Sequence, residues 1–592
     1  MIRLSSTLCN WLKAMLTMAA VGALALLVWE IGWPLEPGQR QSLRQAIFGL
    51  VLTFVAIEVV LMLNKNETWA ERRRGWAVVV LGGLALLEIL FEEQVRELLQ
   101  PLFSPMQAAL LALFAVVATV LLSVFVRGFD LLHAPWLRRL PPGVLAIAAF
   151  ISVILVGSLL LMTPNATPEG IRYVDALFTS TSAVCITGLV VVDTAVDFTR
   201  TGQFIILGLI QLGGFGIMTL AYFLALIAGQ GITLRDRVFL RDMLSQDNLT
   251  LVARFIRSIV VMTLVIELAG AIALYYAWKP GYPHPERLAW DALFHSVSAF
   301  CNAGFSTYSN GLEDAASALH RPVQVIMMIL IVLGGLGFAV LAELTGKVRN
   351  IQIPGWHAGR RGVGRTRRFS IHTKLVLVTT AVLVVGGTGL ILISEMWQPA
   401  ELERQSFGDK VWEAVFFSVA ARTAGFSIVD MSGYMAPAVL IFFVLMIIGG
   451  SPGGTAGGVK TTTAAISVLE LLRILRGRSD IQVWDRRLDR EVVERCLATV
   501  VLAVLWMTTV VFLMVLWQPG FDFLDVVFEA VSAFATAGLS RGITPELSDG
   551  SKVLVTLTML VGRIGILAFA FAIAGKARPL HYQLPPARLP LN

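Results

Sequence analysis

The chain has 592 residues, 56% of them hydrophobic and only 15% charged, with a mean hydropathy of +0.75. That is too apolar and too sparsely charged for an ordinary soluble enzyme, and it describes a polytopic membrane protein. The formal charge of +7 does not point to nucleic acid, because the basic residues gather in separate short loops.

Apolar runs of about 20 residues, the length a bilayer core requires, fall near 11–31, 45–63, 76–91, 107–127, 143–162, 202–228, 257–278, 322–343, 374–397, 436–449, 497–517 and 553–575. They predict about twelve spans. Lys13 followed by an apolar run could pass for a secretory signal, but further spans follow, so the run is read as an uncleaved first helix. Residues 1–140 form an N-terminal extension of about four helices. It carries Glu30, Glu58 and Glu88 and no arginine ladder of the kind a voltage sensor uses. These glutamates suit either a proton-linked site or helix-end pairing.

Between Leu344 and Lys374 there are eight Lys or Arg and no carboxylate. Basic loops also lie at Lys65 and Arg72 to Arg74, at Arg138 and Arg139, at Arg235 to Arg257 and at Arg473 to Arg495. If spans simply alternate, all five face one side, which is then cytoplasmic along with both termini. Cys9, Cys185, Cys301 and Cys496 have neither zinc spacing nor a disulfide framework.

From Leu140 the sequence repeats itself four times. Segments beginning at Asp175, Asp291, Glu413 and Asp525 run to glycines at Gly188, Gly304, Gly425 and Gly538, thirteen residues on in three copies and twelve in the third. Each lies between two apolar spans and is too short to cross a bilayer, so it dips in and returns. The acid suits the positive end of a short helix, which predicts a helix starting at each acid and stopping before the glycine. The residues after that end can present carbonyls to an axis. The filter lining is accordingly assigned to Ile186, Thr187 and Gly188, to Asn302, Ala303 and Gly304, to Thr423, Ala424 and Gly425, and to Thr536, Ala537 and Gly538. The repeats divide the rest into 141–235, 236–350, 351–480 and 481–576, with a cytoplasmic tail at 577–592.

The second span of each copy carries Leu212-Gly-Gly-Phe-Gly216, Leu333-Gly-Gly-Leu-Gly337, Ile448-Gly-Gly-Ser-Pro452 or Val561-Gly-Arg-Ile-Gly565. Small residues there let helices and loops approach closely. In the third copy the cluster expands to Gly449, Gly450, Ser451, Pro452, Gly453, Gly454, Thr455, Ala456, Gly457 and Gly458, which no helix can run through. A backbone opened at membrane depth is tolerated only beside protein or water, so this stretch is read as a gate loop in an aqueous path. A phosphate cradle is excluded, because Val459 separates Gly458 from Lys460 and the context is an apolar span. Lys460 is expected to snorkel toward the cytoplasm and Thr461 to Thr463 to bond backbone carbonyls.

Arg563 stands where Gly214, Gly335 and Gly450 stand in the other copies. A guanidinium at membrane depth is costly, so it is either an electrostatic barrier below the filter, a structural bond to the gate loop, or both. Asp193 and Asp430, each five residues past a loop glycine, either concentrate cations at the outer mouth or cap their own loops. Arg422 is expected to pair locally, and Cys185 and Cys301 to pack behind the filter.

The four span-loop-span units, the loops of Thr-Ala-Gly-Phe type and the run Gly-Gly-Thr-Ala-Gly-Gly-Val-Lys-Thr-Thr-Thr at 453–463 resemble the Trk/Ktr/HKT superfamily of potassium transporters, most of all its bacterial Ktr/Trk membrane subunits. The likeness covers about Pro141 to Lys576. It implies an all-α membrane fold with a pseudo-four-fold potassium path, potassium as substrate with no tightly bound cofactor, and a homodimer. It also implies a separate cytosolic nucleotide-binding ring that moves the gate loop. Glycine at position 188 resembles the potassium-preferring branch. A secondary transporter with an alternating-access site would also use broken helices, but four pore loops of one design argue against it. No catalytic constellation of His, Cys or carboxylate is present.

Overall fold

The computed structural model describes residues 5–63, 76, 79, 83, 142–216, 249–280, 282, 285–313, 321–349, 369–396 and 406–574. Among them the chain is helical apart from one two-residue hairpin, β1 (Gln482–Val483) with β2 (Arg486–Arg487). The helices are α1 (Ser6–Gly32), α2 (Pro37–Met62), α3 (Pro142–Leu161), α4 (Tyr173–Cys185), α5 (Arg200–Gly214), α6 (Leu249–Trp278), α7 (Pro285–Cys301), α8 (Arg321–Leu336) and α9 (Phe338–Arg349). They continue with α10 (Ile371–Met396), α11 (Phe407–Ala420), α12 (Ala436–Ile447), α13 (Thr461–Leu475), α14 (Arg490–Trp517), α15 (Phe523–Ala535), α16 (Asp549–Ile564) and α17 (Ile566–Ala574). Among the described residues four helices are long and apolar enough to cross a bilayer, or five if α8 and α9 are one bent span. The runs at 76–91 and 107–127 lie outside the described residues but for three positions.

The short segments fold as α4, α7, α11 and α15, of 13, 17, 14 and 13 residues. Asp175 and Asp525 sit in the first turn of α4 and α15, as the helix-dipole argument expects. For α7 and α11 that expectation is corrected. These helices start earlier, at Pro285 and Phe407, where Glu286 and Asp409 take the first-turn position. Asp291 and Glu413 therefore lie inside their helices.

These helices are the core. Phe178, Phe294, Phe416 and Phe528, each three residues after its acid, are fully buried, and burying a phenylalanine is worth about 1.5–3 kcal/mol. Hydroxyls at one matched position, Ser180, Ser296 and Ser418, donate to carbonyls of the preceding long helix at Ile154 (2.7 Å), Glu267 (2.6 Å) and Val384 (2.8 Å). Three of the four short helices thus hang from their own spans, the fourth carrying Ala530 at this position.

Polar clasps join successive copies near the starts of the short helices. The Arg200 guanidinium lies 5.8 Å from the Trp290 ring centroid and 3.7 Å from Asp291, while Trp290 Nε1 donates to Gln203 at 3.0 Å. One copy on, Arg321 lies 5.5 Å from the Trp412 ring and pairs with Asp409 at 2.6 Å, and Trp412 Nε1 donates to Gln324. Between the fourth and first copies the charges are exchanged: Asp549 pairs with Arg172 at 3.1 Å and Lys552 with Asp175 at 2.6 Å. Arg541 closes the circle, binding Asp525 at 2.5 Å and donating to the Met431 and Tyr434 carbonyls at 3.2 and 3.1 Å.

The second spans do not run through. The continuous spans expected near 322–343 and 553–575 are corrected to broken ones, with α8 and α9 bent by 104° at Gly337 and α16 and α17 separated at Gly565. Gly216, Gly337 and Gly565 hold φ of +78°, +90° and +93°, a region glycine enters without steric cost. In three of the four motifs the glycine at the fifth position is therefore a hinge of the backbone as well as a small packing residue.

The Lys552–Asp175 pair is buried on both sides, at 5% and 8% side-chain exposure. Breaking such a pair from one side costs about 3 kcal/mol or more. Lys552→Met is therefore expected to lower the apparent melting temperature of the detergent-solubilised protein, with Asp175→Asn restoring part of the loss. A Lys552→Met protein as stable as the parent would show that this clasp does not hold the first and fourth copies together.

Candidate functional site

The ends of α4, α7, α11 and α15 share one backbone device. Ile186, Asn302, Thr423 and Thr536, each two residues before its loop glycine, have φ of +57°, +59°, +67° and +51°, four of the five positive-φ non-glycine residues among those described. In three copies the caps are of Schellman type. Thr187, Ala303 and Ala537 donate backwards to Ser182 (2.8 Å), Ser298 (2.7 Å) and Ser532 (2.8 Å). The third copy, one residue shorter, closes instead with Ala424 donating to Ala420 at 2.9 Å. Glycine is the usual residue at such a cap, and the left-handed conformation costs another residue roughly 1–2 kcal/mol. Three of the four here are β-branched, so this backbone is strained and held by its surroundings.

The loop glycines meet in a closed ring. A Cβ added to Gly188 would lie 2.7 Å from the Ala303 carbonyl oxygen, one on Gly304 would lie 3.0 Å from that of Ala424, and one on Gly425 would lie 3.0 Å from that of Ala537. One on Gly538 would fall still closer to the Thr187 oxygen, which returns to the first copy. The φ values of the four glycines are +89°, +72°, +74° and +81°. Side chains are thus excluded twice, by conformation and by the next loop's backbone.

Among the described residues, none of the carbonyls of the twelve assigned filter residues accepts a hydrogen bond from a protein donor. The hydroxyls of Thr187, Thr423 and Thr536 are buried and unpartnered as well. Buried polar groups left in such number are the chemistry of a site that takes its missing partners from a ligand or water.

The stretch 449–458 packs against this ring. A Cβ on Gly457 would strike the Thr536 hydroxyl, and one on Gly449 would lie 3.1 Å from Thr423 Cγ2. The loop is fastened through its backbone. Ser451 and Thr455 N–H groups donate to Gly335 (2.9 Å) and Gly334 (3.2 Å), and the Phe338 N–H donates to Gly453 at 3.0 Å. These are the groups orphaned where α8 breaks, so the break in the second copy is satisfied by the loop of the third. With its amide nitrogen turned toward them, Asn302 reaches the Thr455 hydroxyl at 3.1 Å and the Phe300 and Ile331 carbonyls at 3.2 and 3.3 Å. The end of α7 and the stretch 449–458 therefore share side-chain contacts.

Arg563, 6% exposed at the end of α16, is the cross-brace. Its Nη1 donates to the Thr455 carbonyl and its Nη2 to the Gly213 carbonyl at 2.6 Å. The position where three copies carry a small residue thus holds the third copy's loop to the first copy's span.

Asp193 and Asp430 turn back on their own loops. Asp193 Oδ1 accepts from the Ala195 N–H at 2.7 Å, and Asp430 accepts from the Ser432 N–H and hydroxyl at 2.8 and 2.6 Å. The Ser432 bonds hold the exposed Asp430 carboxyl below the usual carboxylate range. Two further expectations are corrected. Lys460 does not extend away, since its Nζ folds back to the Ala456 carbonyl at 2.8 Å, and Thr461 bonds the Ser451 hydroxyl rather than a carbonyl. Arg422 is buried with its Nε unpartnered, and among the described residues no carboxylate pairs with it. Cys185 and Cys301 are fully buried and free, and Cys301 packs against Gly214 behind the loops.

The clasps were missed in the sequence although a signal was there, in the Arg-x-x-Gln runs at 200–203 and 321–324 and in the tryptophans one residue ahead of Asp291 and Glu413. The left-handed Ile186, Thr423 and Thr536 carried no such signal, because residue type alone argues against that conformation.

The profile of the TrkH family, described as cation transport protein, matches residues 141–577. The Ktr system potassium uptake protein B of Bacillus subtilis strain 168 is 35% identical over 439 residues, covering 74% of this chain and 94% of that one. The protein of the same title from Vibrio alginolyticus is 36% identical, covering 72% and 90%. The potassium/sodium uptake protein NtpJ of Enterococcus hirae is 33% identical, covering 77% and 98%. The crystal structure of the potassium transporter TrkH from Vibrio parahaemolyticus aligns with a TM-score of 0.58 at 19% identity, over 84% of this chain and 98% of that one, a likeness of fold. By their titles these relatives are ion uptake proteins and transporters, not enzymes. By profile, identity and coverage, this chain belongs to the TrkH family of cation transport proteins.

Proposed function

We propose that the protein takes up potassium across the plasma membrane, through a filter made by its four glycine loops and closed beneath by the loop 449–458. The observation that carries this reading is the ring itself: glycines 188, 304, 425 and 538 each abut the next loop's backbone, with carbonyls that no protein donor occupies. A potassium ion must exchange its water for several oxygens, and carbonyls supply them without a formal charge that would trap the ion. The negative ends of α4, α7, α11 and α15, worth roughly half a charge each, stand next to the ring and favour a cation there.

Below the ring, the guanidinium of Arg563 opposes a descending cation and ties down the loop that blocks it. A release that moves Thr455 away from Arg563 and Asn302 opens the path and draws the charge aside. Asp193 and Asp430 add negative potential at the outer mouth while capping their loops. The basic loops and both termini face the cytoplasm in this reading. Two copies assemble as a homodimer on a separate cytosolic nucleotide-binding ring, which pulls on the gate loop. The titles of the Bacillus and Vibrio relatives as parts of a Ktr system agree with a separate regulatory subunit.

The direct test is rubidium uptake into proteoliposomes against competing sodium. Gly188→Ser is expected to relax the preference for rubidium, and deletion of 451–457 to raise flux; unchanged behaviour in both would refute the assignment of filter and gate.

The ring geometry further ranks the glycines. Because the Gly538 Cβ would lie nearest a neighbouring carbonyl and those of Gly304 and Gly425 farthest, Gly538→Ala should lose more uptake than Gly304→Ala or Gly425→Ala. The left-handed backbone alone predicts about a tenfold loss in each, at roughly 1–2 kcal/mol. Equal, small effects at all four positions would contradict a closed ring.

A further inference from the structure

In two of the four copies a buried side chain nine residues before the glycine binds the segment past it. In the second copy His295, nine residues before Gly304, donates from Nδ1 to the Asp291 carbonyl at 2.7 Å and holds Nε2 3.0 Å from the hydroxyl of Ser306, two residues past the glycine. Asp291 in turn accepts from the hydroxyl of Thr307, three past the glycine, at 2.8 Å. In the fourth copy the same positions recur with different chemistry. Glu529, nine before Gly538, accepts from Ser540 at 2.9 Å and from Thr544, and Asp525 binds Arg541, three past the glycine. His295 and Glu529 are both completely buried.

The other copies carry no such brace at that position, and the first holds its glycine differently, Ser182 Oγ accepting from the Gly188 N–H at 3.1 Å. The first has Thr179, buried with its hydroxyl unpartnered, facing a loop whose matching residues are Val190 and Val191, and its acid Asp175 is engaged by Lys552 and Arg172. The third has Phe416 and Phe417 at the helix position and Ser427 and Ile428 past the glycine, with the Ser427 hydroxyl donating within its own loop to Val429. The ring order 188, 304, 425, 538 places the braced loops opposite each other.

Resting on the filter reading above, we infer that His295–Ser306 and Glu529–Ser540–Thr544 are positioning braces that hold two diagonal loops at fixed width and so set the discrimination between potassium and sodium. A smaller ion is coordinated only if the carbonyl ring contracts, and contraction must drag the segment past the glycine away from its helix. Where both carboxylate oxygens or both ring nitrogens are engaged in a buried network, that movement breaks satisfied bonds, and the network is rigid for that reason. The first and third loops, without that brace past the glycine, yield there when an ion passes.

The test uses the full chain in proteoliposomes, reading rubidium uptake with sodium as competitor, so that the ratio of the two affinities is separated from the maximal rate. Loss of one buried bond, about 1–3 kcal/mol, predicts that Ser540→Ala and Ser306→Ala each cut the rubidium-over-sodium ratio by about tenfold. Ser540→Thr, which restores a hydroxyl, should return to within about twofold of the parent, and Ser427→Ala in the unbraced third loop should leave the ratio within about twofold. Should Ser540→Ala fail to insert, Thr544→Val and Ser306→Ala probe the two braces separately. Ratios unmoved in the alanine variants, even with a lowered rate or melting temperature, would reduce the ties to a purely structural role and overturn the inference. So would a Ser427→Ala effect as large as theirs. A parent protein with no preference for rubidium would instead overturn the filter reading beneath it.

Discussion

The constraint on which this structure depends is steric: four helix ends are brought so close that the next loop's backbone occupies the place of a side chain on each glycine. No side chain can stand at 188, 304, 425 or 538 without displacing a neighbour. The chain meets the constraint by forcing the residue two before each glycine into the left-handed region, at Ile186, Asn302, Thr423 and Thr536. Such strain persists only where surroundings over-determine it. Here the surroundings are the buried phenylalanines, the serine bonds to the long helices and the polar clasps between successive copies.

The four copies are alike in plan and unlike in detail, and the differences lie where work is asked of them. The third copy has the shorter loop, the opened second span and phenylalanine where the second and fourth carry His295 and Glu529. Its opened stretch is not loose. It supplies partners to the carbonyls and N–H freed where α8 breaks at Gly337, and Arg563 and Asn302 bind its Thr455. One residue, Thr455, therefore meets the second copy through Gly334 and Asn302 and the fourth through Arg563. The ties from this stretch to the other copies are hydrogen bonds made by its own backbone and by Asn302 and Arg563.

Much of this was legible in the sequence because it is periodic. The recurrence of an acid twelve or thirteen residues before a glycine located α4, α7, α11 and α15, and the Gly449 to Gly458 run located the broken span. The starts of α7 and α11 were not legible from Asp291 and Glu413, because Glu286 and Asp409 lay upstream in first-turn positions and the repeat gave no reason to look there. The bends at Gly337 and Gly565 were read as packing sites, since one glycine in an apolar run is consistent with either. Asp193, Asp430 and Lys460 were placed by residue type, yet their partners are backbone groups a few residues away, which only coordinates reveal. The clasps fall in between: Arg200, Gln203, Arg321 and Gln324 repeat visibly, but their meaning requires knowing that Trp290 and Trp412 face them from the next copy.

The central claim is that a dehydrated monovalent cation rests among the carbonyls of four converging loops. Anomalous diffraction from crystals of the purified protein grown in rubidium or thallium measures this most directly. The account predicts a peak on the common axis of glycines 188, 304, 425 and 538, at coordination distance from carbonyls of all four loops. A peak confined to the flank of one loop, or a ring empty of density while the ion occupies another site, would contradict it.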